Sequence, residues 1–556
     1  MNPKLKLFLT GIGLCGATTL WGIYYFWNEV VYLFPSAPKY IFLTALVIAV
    51  VLLIPAGYYV GIAWDWVWEA FLSEYFEKST RAFIKVGRNQ WFRPIRLTPE
   101  QRTHHVHVVG STGVGKTEFL LNMIFQDIEQ GHGLLLIEHK GDPDLYGQIA
   151  AKVMREGRNA DFHFLSLVHP KKSYAYNPLN GESGHEIAER VFNSWGETQD
   201  FYKQLQFQWL ASIADLLLGL GKRVTFKKLY ECLTNENKLS YYLKQHKSKH
   251  GTSSLGLSIK NFLSEDKDFR EKNLKGLEVY LSRFTTGEMA DVFNTMDMSS
   301  YIDMNEALQK NEIIYLQLPT MGHYEMATTI GKLALQDFQS AVSDKLTRSD
   351  NRCFFSCYLD EFASLAYPGF TELISKARAA NVGLVLSHQS ISDLKNVSES
   401  FAGSVLSNTN TKVVFRCPDP STAQYFSDSF GTRTVTYKTE QTDRSVSTGR
   451  ASVREVEEYI IHPNQIKNFG VGEGVISRPT ERKIAVEECK FSKVERLKPF
   501  SLTHATELED GSWRIPREKV RHHPIQENDD AETGIKDTGV VQLKSKEKQH
   551  ESPDHR

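Results

Sequence analysis

Cysteine is scarce in this chain of 556 residues. There are six, at Cys15, Cys232, Cys353, Cys357, Cys417 and Cys489, and no two form a CxxC pair. That excludes a disulfide-stapled scaffold and a paired-cysteine metal site, and it fits a reducing compartment. The nearest two, Cys353 and Cys357, fall in a short apolar run and read as small core residues. An excess of one charge sign is also missing. Lys and Arg number 65 against 66 Asp and Glu, a net charge of −1, so any attraction for nucleic acid has to be local. The tail from about Pro516 lacks Phe, Tyr and Trp. Such a segment buries too little apolar surface to fold, and disorder is expected over 516–556.

Charge is absent altogether from Leu7–Trp27 and Tyr40–Trp64. Each run exceeds the roughly 20 residues that cross a ~30 Å hydrocarbon core. Tyr24, Tyr25 and Trp27, then Tyr58, Tyr59 and Trp64, place aromatics where an interfacial belt would lie. Lys4 and Lys6 precede the first run, and Lys78, Arg81, Lys85, Arg88, Arg93, Arg96 and Arg102 follow the second. The excess of cations outside the pair predicts a two-helix hairpin over 1–72, with both termini and everything behind it in the cytoplasm of a bacterial inner membrane. A cleaved signal peptide is the alternative for the first run. The stretch from Lys78 to Arg102 is read as a basic linker drawn to anionic lipid, with contact to nucleic acid as the alternative.

Beyond the linker, short apolar runs alternate with helical patterns. Val106–Val109, a helix over Lys116–Gln130 and Leu134–Ile137 predict parallel α/β structure. From about Gly184 to Gly287 the pattern is helical throughout, as in Phe201–Leu220 and Leu274–Phe284, with a polar loop at Lys247–Gly256. The alternation then resumes at Ile313–Leu318, Phe354–Leu359, Gly383–Ser387 and Lys412–Phe415. The expected organisation is a membrane anchor (1–72), an α/β domain in two parts (73–183 and 301–500) and an all-α domain inserted between them (184–300).

Gly110-Ser111-Thr112-Gly113-Val114-Gly115-Lys116-Thr117 matches GxxxxGK[ST], placed between a predicted strand and a predicted helix. Its backbone N–H groups would curl around the phosphates of ATP, Lys116 would reach the β- and γ-phosphates, and the Thr117 hydroxyl would bind Mg2+. The strand Phe354–Leu359 leads into Asp360 and Glu361. Such a pair suits a Mg2+ ligand, Asp360, and an acid that polarises the attacking water, Glu361; a solvated acidic strand end is the bland alternative. Gln389 follows the strand at Gly383–Ser387 and could sense the γ-phosphate, whereas His388 reads as structural. Arg378, on a helix ahead of that strand, could serve a neighbouring subunit as an arginine finger or be an ordinary surface residue. Lys140-Gly141-Asp142 reads as a turn carrying a charge.

Taken together, GSTGVGKT, the KGD turn, the helical insertion, LDEFASL at Leu359–Leu365, KARAANVGLVLSHQS at Lys376–Ser390 and VVFRCPDP at Val413–Pro420 resemble the type IV secretion coupling proteins of the TraD/TraG class. The resemblance covers about Asn2 to Arg478. It implies a RecA-like P-loop core, a homohexamer at the inner membrane, and a DNA-pumping ATPase of conjugation. Its implied partners are single-stranded DNA, the relaxase of the relaxosome and components of the secretion channel. It also implies the finger role for Arg378 and the sensor role for Gln389. The family often has Asp-Pro ahead of the Lys-Gly pair; this chain has Glu138-His139. Two other readings compete. One is an FtsK-like chromosome translocase, which usually carries more spans and a terminal winged helix. The other is a membrane receptor that recruits protein substrates and uses nucleotide only as a switch. An ABC-type transporter is disfavoured because no LSGGQ-like signature follows the P-loop.

Overall fold

The computed structural model describes residues 83–500 except 196–199, 296–300, 349–352, 368, 444–445 and 481–482, together with 506–507 and 513–514. The chain divides into two units, Met1–Pro516 and Arg517–Arg556; the second, and the tail expected to be disordered, lie outside the described residues. So do the two apolar spans at Leu7–Trp27 and Tyr40–Trp64. Among the described residues no helix is long and apolar enough to cross a membrane.

Eleven strands form one sheet. They are β1 (Ile84–Asn89), β2 (Pro94–Leu97), β3 (Val106–Val109), β4 (Gly133–Glu138), β5 (Phe162–Ser166), β6 (Ile313–Gln317), β7 (Phe355–Leu359), β8 (Val382–His388) and β9 (Thr411–Val414), then, after a separate hairpin of β10 (Thr432–Asp443) and β11 (Val446–Tyr459), β12 (Glu473–Pro479) and β13 (Ile484–Phe491). Their order is β2-β1-β13-β12-β9-β3-β8-β7-β4-β6-β5. From β9 to β5 all neighbours are parallel, and from β9 to β2 all are antiparallel.

The parallel strands are covered on both faces, which is why they read as unbroken apolar runs. Along β4, Leu134 and Leu136 face a core with Phe119, Ile124 and Tyr146, while Leu135 and Ile137 face another with Ile330, Phe338 and Leu384. The helices α1 (Lys116–Gln130) and α2 (Pro143–Arg155) supply the first core. The second runs on into the helical insertion.

That insertion holds α3 (Gly184–Ser194), α4 (Asp200–Gly219), α5 (Phe226–Thr234), α6 (Glu236–His250), α7 (Ser254–Leu263) and α8 (Lys267–Ser282). Side chains of Ser183, Thr225, Asn235, Ser253 and Asp266 each accept a backbone N–H three residues on, so one helix after another starts on a cap worth ~1 kcal/mol. Trp209 stacks on Phe262 at 3.8 Å and Phe226 on Phe284 at 4.0 Å, closing the bundle with aromatic contacts. After the insertion the chain re-enters the sheet at β6 and continues as a long helix, α9 (Tyr324–Arg348).

Several expectations need correction. The loop expected over Lys247–Gly256 is much shorter: α6 continues to His250, Gly251 stops it at φ 72°, and α7 begins at Ser254. Cys353 is exposed ahead of β7, whereas Cys357 is buried within it. The basic linker is in good part sheet, since Lys85, Arg88 and Arg96 sit in β1 and β2. Arg102, counted there as a lipid-facing cation, is fully buried. Its guanidinium donates to both carboxylate oxygens of Asp127, at 2.7 and 2.6 Å. Charge counting cannot see that partner, which lies 25 residues on in α1.

Candidate nucleotide site

Strand order and register assemble the site. β8 lies between β3 and β7, with His388 opposite Val109 and Leu386 opposite Leu359. Ile137 of β4 is opposite Leu359 on the far side of β7. The GxxxxGK[ST] loop, Asp360-Glu361, Gln389 and the turn after Glu138 therefore leave four adjacent strands at one edge, the carboxyl edge where open α/β sheets bind ligands.

The loop itself is tightly braced. Gly113 and Gly115 take φ of 76° and 108°, a left-handed backbone that side chains disfavour. A Cβ on Gly110 would come within 2.7 Å of the Phe415 Cβ. The Ser111 N–H donates to the Arg416 carbonyl and the Gly472 N–H to the Val114 carbonyl, so the ends of β9 and β12 pin the loop from outside. Lys116 is buried, donates to the carbonyls of Gly110 and Ser111, and is pushed below its ordinary pKa by burial.

Asp360 is 2% exposed. Its Oδ1 accepts from the Ser387 hydroxyl at 3.1 Å and its Oδ2 from the Lys140 ammonium at 2.8 Å. The same ammonium lies 3.4 Å from the Thr117 Oγ1 and 3.9 Å from Glu361. Thr117 and Asp360 thus converge on one point that already accommodates a cation, and this donor set of hydroxyl and carboxylate oxygens suits Mg2+. Glu361 is part-exposed and held at φ 55°, ψ 45°. A non-glycine residue in that region is strained, and such strain concentrates at functional sites.

The other expected residues are placed as follows. Gln389 is exposed at the mouth of the edge, its N–H donating to Asp393. His388 is buried, with its Nε2 2.5 Å from the Nε2 of His107, and so links β8 to β3. Arg378 is exposed on a 3-10 turn, Ala377–Ala380, rather than on the helix expected for it. That turn feeds the start of β8, and burial lowers the pKa values of His104 and His105 just ahead of β3, with the Arg378 charge adding to the effect. Arg378 is therefore at the opposite edge of the sheet. The length of β8, seven residues or roughly 23 Å, separates it from Gln389.

Three residues were given no site role by the sequence: Lys140 and Glu138, noted only as part of a turn and as a departure from the family, and Ser387. Their positions before and after strand ends were visible, but the pairing of those strands was not. Glu138 is wholly buried. Its Oε1 accepts the N–H groups of Lys140 and Asp142, at 2.5 and 3.4 Å, which fixes the turn. Burial, aided by the Asp360 charge, pushes its carboxyl up from 4.5 to about 7. The folded chain thus holds this proton more tightly than the unfolded chain. The stability it contributes is full below about pH 4.5 and lost as pH rises through 7. Glu138→Gln, which keeps the accepting oxygen, should raise the urea midpoint at pH 8 and leave it nearly unchanged at pH 4.5.

Comparison with known proteins agrees with this geometry. The family described as the TraM recognition site of TraD and TraG matches residues 355–470. The type 4 coupling protein DotL of Legionella pneumophila is 22% identical over 410 residues, covering 63% of this chain and 52% of DotL. The chain is thus similar to the type IV coupling proteins over part of its length. It spans about half the length of the curated protein it matches. The solved bacterial conjugative coupling protein TrwBdeltaN70 superposes with a TM-score of 0.54 at 16% identity, covering 75% of this chain and 90% of the other. TrwB in complex with ADP and Mg2+ gives 0.51 at 16%, covering 73% and 89%. The α/β fold of this chain is shared with TrwB.

Proposed function

We propose that this chain is the ATP-driven coupling protein of a conjugative type IV secretion system, acting at the inner membrane as a homohexamer. It would bring relaxase-bound single-stranded DNA to the secretion channel and pump it. The observation that carries the reading is the convergence of Thr117 and Asp360 on one cation position at the mouth of a braced phosphate loop. The family match over 355–470, the relative DotL and the structures of TrwB with nucleotide support it.

On this reading the N–H groups from Gly110 to Thr117 cradle the ATP phosphates, and Lys116 turns from its own loop carbonyls to the β- and γ-phosphates. Thr117 and Asp360 would hold Mg2+, which would supply positive charge to stabilise the transferring phosphoryl group. Glu361 orients and polarises the attacking water. Gln389, one strand away, contacts the γ-phosphate side and reports its loss. The turn Lys140–Asp142 closes the fourth side. A fluorescent ATP analogue should bind the wild-type chain in a Mg2+-dependent way and fail to bind Lys116→Ala; equal binding by both would sink the reading.

Arg378 cannot act on the phosphate loop of its own chain, because the full depth of the sheet intervenes. If it is catalytic, it serves a neighbour in the ring. Mixing Arg378→Ala with Lys116→Ala subunits should then restore part of the turnover that each variant lacks alone. Titrating one variant against the other while following ATP hydrolysis checks this, and no recovery at any ratio would remove Arg378 from the site.

A further inference from the structure

Lys140 has no role in the reading above beyond closing a turn, yet its ammonium is the group on which the metal ligands converge. It lies 2.8 Å from Asp360 Oδ2, 3.4 Å from Thr117 Oγ1 and 3.9 Å from Glu361 Oε1. The backbone beneath it is fixed. Glu138 accepts the Lys140 N–H, the Thr320 N–H donates to the His139 carbonyl, and Gly141 takes the left-handed φ of 70° that the turn needs. The side chain is 38% exposed on a four-carbon stem with rotatable bonds, so it can swing to solvent without moving the turn. Asp360, by contrast, is 3% exposed in its side chain, and without this ion pair its buried carboxylate would keep the Ser387 hydroxyl and the more distant Lys116 charge.

We propose that Lys140 is the built-in counter-cation of the metal site: its ammonium neutralises Asp360 and competes with a divalent cation for Asp360 and Thr117, so that Lys140 sets the divalent-cation affinity of the site. The inference rests on the nucleotide-site reading for the identity of the ligands. Binding of Mg2+ then requires only that the Lys140 side chain rotate away, with the turn left in place. The displaced ammonium stays tethered at the edge where the phosphates would lie. The cost is affinity, since the metal must displace an ion pair rather than enter a free carboxylate.

The test uses Mn2+ as the probe, titrated into the full chain with and without ADP and followed by loss of the free-ion electron paramagnetic resonance signal. Removing a cation in contact with the carboxylate should raise Mn2+ affinity about tenfold in Lys140→Met. Lys140→Arg, which keeps the charge, should stay close to wild type. The gain should vanish in the double variant Lys140→Met, Asp360→Asn. A merely structural lysine would give no gain, and unchanged or weaker Mn2+ binding by Lys140→Met overturns the proposal. A thermal arm covers a variant that folds poorly. Lys140→Met should have a lower Tm in chelator, and Mg2+ should raise it by more than it raises wild type; equal Mg2+ shifts overturn the proposal as well. Failure of wild type to bind ADP at saturating Mg2+ would strike the nucleotide-site reading, whereas ADP binding with no Mn2+ gain in Lys140→Met strikes the counter-cation role alone.

Discussion

Glu361→Gln is expected to lower ATP turnover at least ~10²-fold, the range set by loss of a positioned general base, with nucleotide binding little changed. The reason is geometric. Asp360 is buried and already engaged by Ser387 and Lys140, so it is suited to hold a cation rather than to take a proton. Glu361, the next residue, is turned away from the strand by its left-handed backbone and reaches solvent at the mouth of the loop. On the proposed reading the two adjacent acids take different tasks. The glutamine keeps size and polarity but cannot accept a proton from water. Steady-state hydrolysis beside ADP binding separates the two effects, and a variant weakened in binding but normal in maximal rate would reverse the assignment.

Arg102→Met should destabilise the core by about 3–5 kcal/mol, the range for breaking a buried ion pair from one side. Asp127 is 0% exposed and has no water to fall back on. Besides Arg102 it accepts from Ser356 at 2.8 Å, from Tyr358 at 2.5 Å and from His132 at 3.0 Å. Burial alone would raise its pKa, but the Arg102 charge wins and holds it well below the usual carboxylate range. Removing the arginine leaves a carboxylate that must either stay charged in the core or bind a proton. The double change Arg102→Met, Asp127→Leu removes both charges and should recover much of the loss. Urea unfolding of the three variants measures the difference.

The GxxxxGK[ST] loop and the acid pair could be picked out as candidates because each is a contiguous run, and strand order brings both to one edge of the sheet. The strands β3, β4, β6, β7, β8 and β9 were legible for a related reason, since burial on both faces leaves unbroken apolar runs. Pairing of distant strands was not, and with it went Lys140 and Ser387, which meet Asp360 only because β7 lies between β4 and β8. Arg102 was misread because a count of charges cannot distinguish a solvated arginine from a buried one. The hairpin β10–β11 went unread: its run of Thr, Lys, Arg and Glu gives no apolar face to follow. Arg378 illustrates the remaining limit. The sequence places it between two site segments, while the fold puts it at the other edge of the sheet, so only a second subunit could bring it to the phosphates.

ATP hydrolysis by the full chain in lipid nanodiscs, with and without single-stranded DNA, is the decisive measurement of a DNA-coupled motor. Turnover should depend on Mg2+, rise on addition of single-stranded DNA, and disappear in Lys116→Ala and Glu361→Gln. Wild type and Glu361→Gln hydrolysing ATP equally slowly, with DNA or without, would contradict it.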